Sequence, residues 1–400
     1  MAPSLFLVAG EVSGDIYGAD LVQALRRLRP DLDLVGVGGP RMAAAGVRCL
    51  LDSSDWGLIG WLEALPHLPA FLVRLAAVAR AIARIRPGAV VLIDFPGFNL
   101  ALARRVGRRF PLAYYIPPMV STRRGDRAGR IARLPVRLLA VFPFEADAFR
   151  AAGADVAFIG HPALDRVRAS GGPAEIRRRW ALPPGAAVVT LLPGSRRHEL
   201  RRHLPVMVEA LEIVRAHHPG VRALLPVASE QYRRTIESQT SGSSVPITLV
   251  PGGGQEAYDA LAASDFAVVA SGTATLEAMC LGVPMVVVAR LSRSAWWIAR
   301  RVVSAKSAAL PSLLAGRMVV PELIQDAYTS ARLAEVVIEW LSDGSRRMHL
   351  RNELLGLRAR LGDPGAVERA AHEILRLAAL AGSERLKYHT DDLTGHARAT

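Results

Sequence analysis

Residues 5–15 read Leu5-Phe6-Leu7-Val8-Ala9-Gly10-Glu11-Val12-Ser13-Gly14-Asp15. An unbroken apolar run of strand length suits a strand buried on both faces, and the glycine turn behind it leads into apolar residues at helical spacing over Ala19–Leu28. Outward from this unit the pattern repeats. Apolar runs follow at Leu32–Val37, Ala89–Phe95, Leu112–Ile116, Leu138–Phe142 and Val156–Ile159. A second series comprises Ala187–Leu192, Arg222–Pro226, Ile247–Val250, Phe266–Ala270 and Met285–Ala289, with helical spacing over Leu200–His217. Strand–helix alternation twice over predicts an α/β chain of two doubly wound parallel-sheet, Rossmann-like domains. The boundary falls in Ala163–Pro184, which holds Ser170-Gly-Gly-Pro173 and Pro183-Pro184-Gly185.

The chain has 400 residues, 22% of them charged, and a net charge of +14 carried mostly by arginine. It is long enough for two cores and too apolar for disorder. The positive excess favours polyanionic partners: nucleic acid, an acidic membrane surface or a phosphorylated substrate. Zinc motifs and aromatic–basic interleaving are missing, so nucleic acid is not expected. Cys49 and Cys280 have no metal or disulfide spacing, and reduced thiols are expected. No signal peptide and no spanning segment is read. Two helical stretches, Leu68–Arg86 and Leu291–Val303 with its Trp296-Trp297 pair, are either membrane-surface helices or core helices with a basic outer face.

Ligands of open α/β sheets bind beyond the carboxyl ends of the strands, so function belongs to the strand-to-helix turns. In the first turn Ser13 or Asp15 can cap the helix, and the Gly10 to Gly14 loop suits an anion or a sugar. Gly36-Val-Gly-Gly-Pro-Arg41 offers Arg41 to a phosphate. Ile93-Asp94-Phe95-Pro96-Gly97-Phe98-Asn99 places a carboxylate at a strand end, where Asp94 either takes a proton from a substrate hydroxyl or caps the next helix. Leu192-Pro-Gly-Ser195-Arg196 combines hydroxyl, amides and guanidinium, a set suited to a diphosphate, and it lacks the P-loop pattern. Ser271-Gly272-Thr273 opens a helix whose first amides can hold phosphate oxygens. Glu277, one to two turns on, is either a ribose contact or an ordinary surface carboxylate.

These turns, in this order, resemble the lipid-A-disaccharide synthase family from about Leu5 to about Leu380. The runs are Val8-Ala-Gly-Glu-Val-Ser-Gly-Asp15, Gly38-Gly-Pro-Arg-Met42, Gly60 with Glu63, Phe142-Pro-Phe-Glu145, Gly160-His-Pro162, Leu192-Pro-Gly-Ser-Arg196, Ala270-Ser-Gly-Thr-Ala274 with Glu277, and Leu310-Pro-Ser-Leu-Leu-Ala-Gly316 before Val320-Pro-Glu-Leu323. The family commonly has a second acid where this chain has Gly97, a pair of Trp where it has Ile116-Pro-Pro-Met-Val-Ser-Thr-Arg123, and Asn where it has Ser312.

The resemblance implies a GT-B fold, with the two domains facing across a cleft, and an inverting glycosyltransferase. It implies transfer from UDP-2,3-diacylglucosamine to 2,3-diacylglucosamine 1-phosphate through a β-1,6 bond, with release of UDP. Asp94 falls on the family's catalytic base. Ser195, Arg196, Ser271, Gly272, Thr273 and Glu277 fall on the donor side, and Glu11, Ser13, Gly14, Asp15, Arg41, Asn99 and Ser312 on the acceptor side or cleft. No metal or other cofactor is implied. The implied partners are the two acylated sugars and the inner face of the cytoplasmic membrane, where the protein is expected to lie peripherally in the cytoplasm. Residues 1–165 form the expected acceptor-side domain and 175–345 the UDP-sugar domain. Helices at about 346–381 are expected to pack back on the first domain, with 383–400 a flexible tail. Alternative readings are a GT-B enzyme with another acceptor, a UDP-GlcNAc 2-epimerase, and a non-catalytic UDP-sugar binder.

Overall fold

The computed structural model describes residues 4–10, 12–53, 56, 68–120, 126–252, 254–292, 296–297 and 307–379. The chain divides into two compact units. Among the described residues, the first holds those up to Asp165, Trp297 and those from Leu361, and the second holds those from Arg166 to Trp296 and from 307 to Arg360.

The first unit carries β1 (Ser4–Ala9), β2 (Asp33–Gly38), β3 (Arg48–Asp52), β4 (Ala89–Ile93), β5 (Leu112–Tyr115), β6 (Arg137–Ala140) and β7 (Val156–Phe158). Their order is β3-β2-β1-β4-β5-β6-β7, every pairing being parallel. The winding therefore reverses between β1 and β4, where Ala9 lies opposite Ile93. Both faces are covered. Phe6 and Val8 pack with Val78, Ile82, Phe98 and Leu102, while Leu5 and Leu7 are enclosed on the other side. Full burial of each such side chain stabilises the fold by about 1.5–3 kcal/mol.

The second unit carries β8 (Val188–Leu192), β9 (Arg222–Val227), β10 (Ile247–Pro251), β11 (Phe266–Ala270), β12 (Met285–Ala289) and β13 (Glu322–Ile324), in the order β10-β9-β8-β11-β12-β13. Here the reversal lies between β8 and β11, with Leu192 opposite Val269.

Each apolar run read from the sequence is a strand, with ends shifted by a residue or two. β4 stops at Ile93 because Asp94 and Phe95 turn left-handed, at φ 48° and 49°, and Ile116 at φ 59° stops β5 in the same way. β3 and β13 were not expected. They are edge strands, β3 mostly exposed, and such strands need no apolar run. The first helix begins at Val12 rather than Ala19.

The expected packing of 346–381 on the first domain is corrected. The helix Gly344–Arg358 belongs to the second unit, where Leu350, Leu354 and Leu357 are buried and the helix packs on Thr273–Cys280 and Ser330–Ser342. The return begins at Leu361. There Asp165 accepts the amides of Gly365 and Val367, ahead of and at the start of a helix over 366–379, and Arg137 pairs with Glu373. The expected tail at 383–400 lies outside the described residues.

Candidate active site

In the first unit, the turns after β1 and β4 stand side by side at the reversal, the place where open α/β sheets bind ligands. Asp94 is fixed there from several directions. Its amide donates to Tyr115 O at 3.0 Å. Its carbonyl accepts from Asn99 Nδ2 at 2.8 Å and from the Tyr114 hydroxyl at 2.9 Å. Its carboxylate Oδ2 accepts from Ser13 Oγ at 3.0 Å. Left-handed backbone at a non-glycine residue costs about 1–3 kcal/mol and persists only where the surroundings impose it. These bonds do so at Asp94. At Phe95 the ring lies over Gly10, where an added Cβ would fall 2.0 Å from Cδ1, so no larger residue fits at 10. The helix Pro96–Val106 has Phe95 at its N-cap and no side-chain cap, which removes the capping reading of Asp94.

The other first-unit candidates separate into different jobs. Ser13 holds Asp94. Gly14 is buried in the first helical turn, 3.4 Å from Ala9 Cβ by the position a Cβ would take. Asp15 does not cap its own helix. It lies in that helix's first turn, and its carboxylate accepts the amides of Gly39, Arg41 and Met42 at 2.9, 3.0 and 2.9 Å, tying down the short helix Pro40–Ala44. Arg41 is exposed on that short helix. Asn99 is fully buried and donates to Val8 O, Ile93 O and Asp94 O, so it pins the ends of β1 and β4 rather than facing solvent. Glu11, Gly60 and Glu63 lie outside the described residues.

The second unit repeats the plan. After β8, Gly194 takes φ 110°, and the amides of Ser195 and Arg196 both donate to Glu199 Oε2, at 2.9 and 3.1 Å. Arg196 Nη1 also reaches Glu199 Oε1 at 3.3 Å. The turn's amides thus already hold a carboxylate, the kind of group an anion-binding turn attracts. After β11, Gly272 takes φ 154° with open space where a Cβ would point, and the helix Thr273–Cys280 starts behind it. Ser271 Oγ donates to Ala308 O at 2.7 Å, which clamps a neighbouring loop. Glu277 is half-buried, not an ordinary surface carboxylate. Burial pushes its carboxyl pKa up, opposed by Arg166 and by the Tyr258 hydroxyl at 3.4 Å. Ser312 is buried in this unit, its Oγ accepting from Val319 N, and it holds the chain ahead of β13.

Sequence reading missed three supports. Tyr114 braces Asp94. Glu145 is buried and accepts from Val120 N at 2.7 Å, fixing the segment beyond β5. Glu199 closes the Ser195 turn. Its signal was present, because an acid three residues after a helix N-cap reaches back to the open amides.

Two doubly wound parallel sheets, each with paired turns at its reversal, define a chain of the GT-B class. Solved structures agree on the fold. The S. aureus MnaA–UDP complex gives a TM-score of 0.63 at 14% identity, covering 92% of this chain and 94% of that one. The calicheamicin glycosyltransferase CalG4 gives 0.61 at 16%, covering 94% and 98%. The lipid-A-disaccharide synthetase family profile matches residues 5–374. A lipid-A-disaccharide synthase of Myxococcus xanthus is 42% identical over 376 residues, 94% of this chain and 97% of its own. The chain belongs to the lipid-A-disaccharide synthase family and is a glycosyltransferase.

Proposed function

We propose that the chain transfers a 2,3-diacylglucosaminyl group from UDP-2,3-diacylglucosamine to 2,3-diacylglucosamine 1-phosphate, forming a β-1,6 disaccharide 1-phosphate and UDP without a metal. The observation that carries this reading is Asp94, a carboxylate held on left-handed backbone at the mouth of the first sheet. It takes the proton of the acceptor 6-hydroxyl as that oxygen attacks the anomeric carbon opposite the leaving group, which inverts the centre. Ser13 orients the carboxylate.

Breaking the anomeric bond leaves negative charge on UDP. The Arg196 guanidinium and the helix start at Gly272–Thr273 are the groups that meet it, in the role a metal plays elsewhere. Glu277, whose proton affinity is raised by burial, accepts from the ribose hydroxyls. The MnaA structure of the same fold contains UDP, which supports the donor class. Among the described residues no helix is long and apolar enough to cross a membrane. The helix Leu68–Ile85 buries Leu75, Val78 and Ile82 but leaves Leu68, Leu72 and Val73 exposed, with Arg74 next to them. That apolar end with its basic neighbours is the surface that rests on the cytoplasmic membrane, where the acylated substrates are. The second expected contact, Leu291–Val303, lies largely outside the described residues, although Trp297 is exposed.

The test is UDP release from UDP-2,3-diacylglucosamine in detergent, with and without 2,3-diacylglucosamine 1-phosphate, with the product read by mass spectrometry. Acceptor-dependent UDP and a disaccharide 1-phosphate are expected. UDP-sugar binding with no acceptor-dependent release would remove the proposed reaction and keep the fold.

A further inference from the structure

The helix Thr273–Cys280 has its donor-side turn at one end and a pocket at the other, about 12 Å away at 1.5 Å per residue. The pocket has a volume of about 290 Å3, lies within the second unit, and contains no acidic residue in its wall. Arg168, Arg351 and Arg358 line it together with Val167, Leu281 and Leu355.

Several arginines of this unit pair with carboxylates: Arg177 with Asp265, Arg179 with Asp259, Arg317 with Glu353. Arg168, Arg351 and Arg358 have no ion-pair partner among the described residues. Arg358 has only a 3.5 Å contact to Cys280 O. Packing enforces their approach. Gly282 sits at φ 66°, and a Cβ there would fall 2.8 Å from Leu355 Cγ and 3.2 Å from Arg351 Cγ, so its lack of a side chain lets the helix Gly344–Arg358 bring both residues to the wall. Leu355 remains 38% exposed. Three like charges around one half-open, apolar-walled pocket repel one another until an anion enters. A carboxylate offers one charge and two oxygens. A phosphate monoester offers close to two charges and three terminal oxygens, which suits three planar guanidiniums better. The apolar wall then packs against whatever carries the phosphate.

We propose that this pocket binds a phosphate monoester with a short apolar stem, at a site separate from the donor turns. The volume fits a phosphate and a few carbons, the size of a small metabolite or of a lipid headgroup region.

The experiment titrates the full-length protein with inorganic phosphate and with n-butyl phosphate by calorimetry, beside Arg351→Gln/Arg358→Gln. Cosedimentation with phosphatidylcholine vesicles, with and without phosphatidic acid, forms the second arm. Butyl phosphate is expected to bind more tightly than phosphate, and the double variant to weaken it about tenfold or more, the size of losing charge-assisted hydrogen bonds. Loss of butyl phosphate binding with unchanged vesicle binding assigns a soluble ligand. Loss of the phosphatidic-acid-dependent part of vesicle binding assigns a lipid headgroup. No butyl phosphate binding together with no phosphatidic-acid-dependent vesicle binding, or binding equal in protein and variant in both arms, overturns the proposal. Arg168→Gln, on an exposed side chain, repeats the comparison should the double variant not fold. UDP affinity, unchanged in each variant, separates failure of this pocket from failure of the donor reading.

Discussion

At the scale of single residues, the first sheet's mouth is built from carboxylates with opposite jobs. Asp15 spends both oxygens on three backbone amides, while Asp94 is gripped by its backbone and receives one hydroxyl on its carboxylate. Asp15→Ala should therefore lower stability by about 3 kcal/mol in urea unfolding, because buried amides lose a charged acceptor. Asp15 was picked out from its turn, and Asn99 and Ser312 by the family resemblance, without their roles. Each carries a polar atom that a strand-to-helix turn needs, and sequence spacing does not show whether that atom points at a ligand or at the protein's own backbone. Asp94 stood out in the sequence as a candidate because a carboxylate closing an apolar strand has few inexpensive structural uses.

At the scale of elements, legibility follows burial. The central strands are unbroken apolar runs, so β1, β4, β8 and β11 were visible with the turns that follow them. The edge strands β3 and β13 were invisible because their residues are largely solvent-facing or few. The helix Leu68–Ile85 has a core face, with Val78 and Ile82 buried, and an exposed apolar end, with Leu72 and Val73 53% and 65% exposed. Leu72→Ser/Val73→Ser should weaken binding to anionic vesicles about tenfold or more, with the urea midpoint nearly unchanged, because the apolar surface removed is already in water. Equal vesicle binding would move the membrane contact elsewhere.

At the scale of the molecule, two buried histidines link fold to pH. Burial holds His161 at a pKa of about 3, among Tyr17 and Phe142, with Nδ1 accepting from Ala163 N. Burial likewise holds His203 at about 4, against the Tyr328 ring. Both lie below the unfolded value of about 6.5, so below that pH the unfolded chain binds protons the native chain refuses. Stability should fall as pH drops from about 6.5 towards 4, with a slope approaching two protons, and His203→Gln should reduce that slope by about one in urea midpoints taken across the range. The proposed reaction assigns the base to the β1/β4 reversal of one unit and the charge-bearing donor groups to the β8/β11 reversal of the other. The most direct test of that division is the turnover and UDP affinity of Asp94→Asn, with Arg196→Gln beside it. Asp94→Asn is expected to lower kcat by about 10²–10⁴, the range for loss of a general base, with UDP affinity retained, and Arg196→Gln to weaken UDP binding. Retained kcat in Asp94→Asn would contradict the assignment of the base.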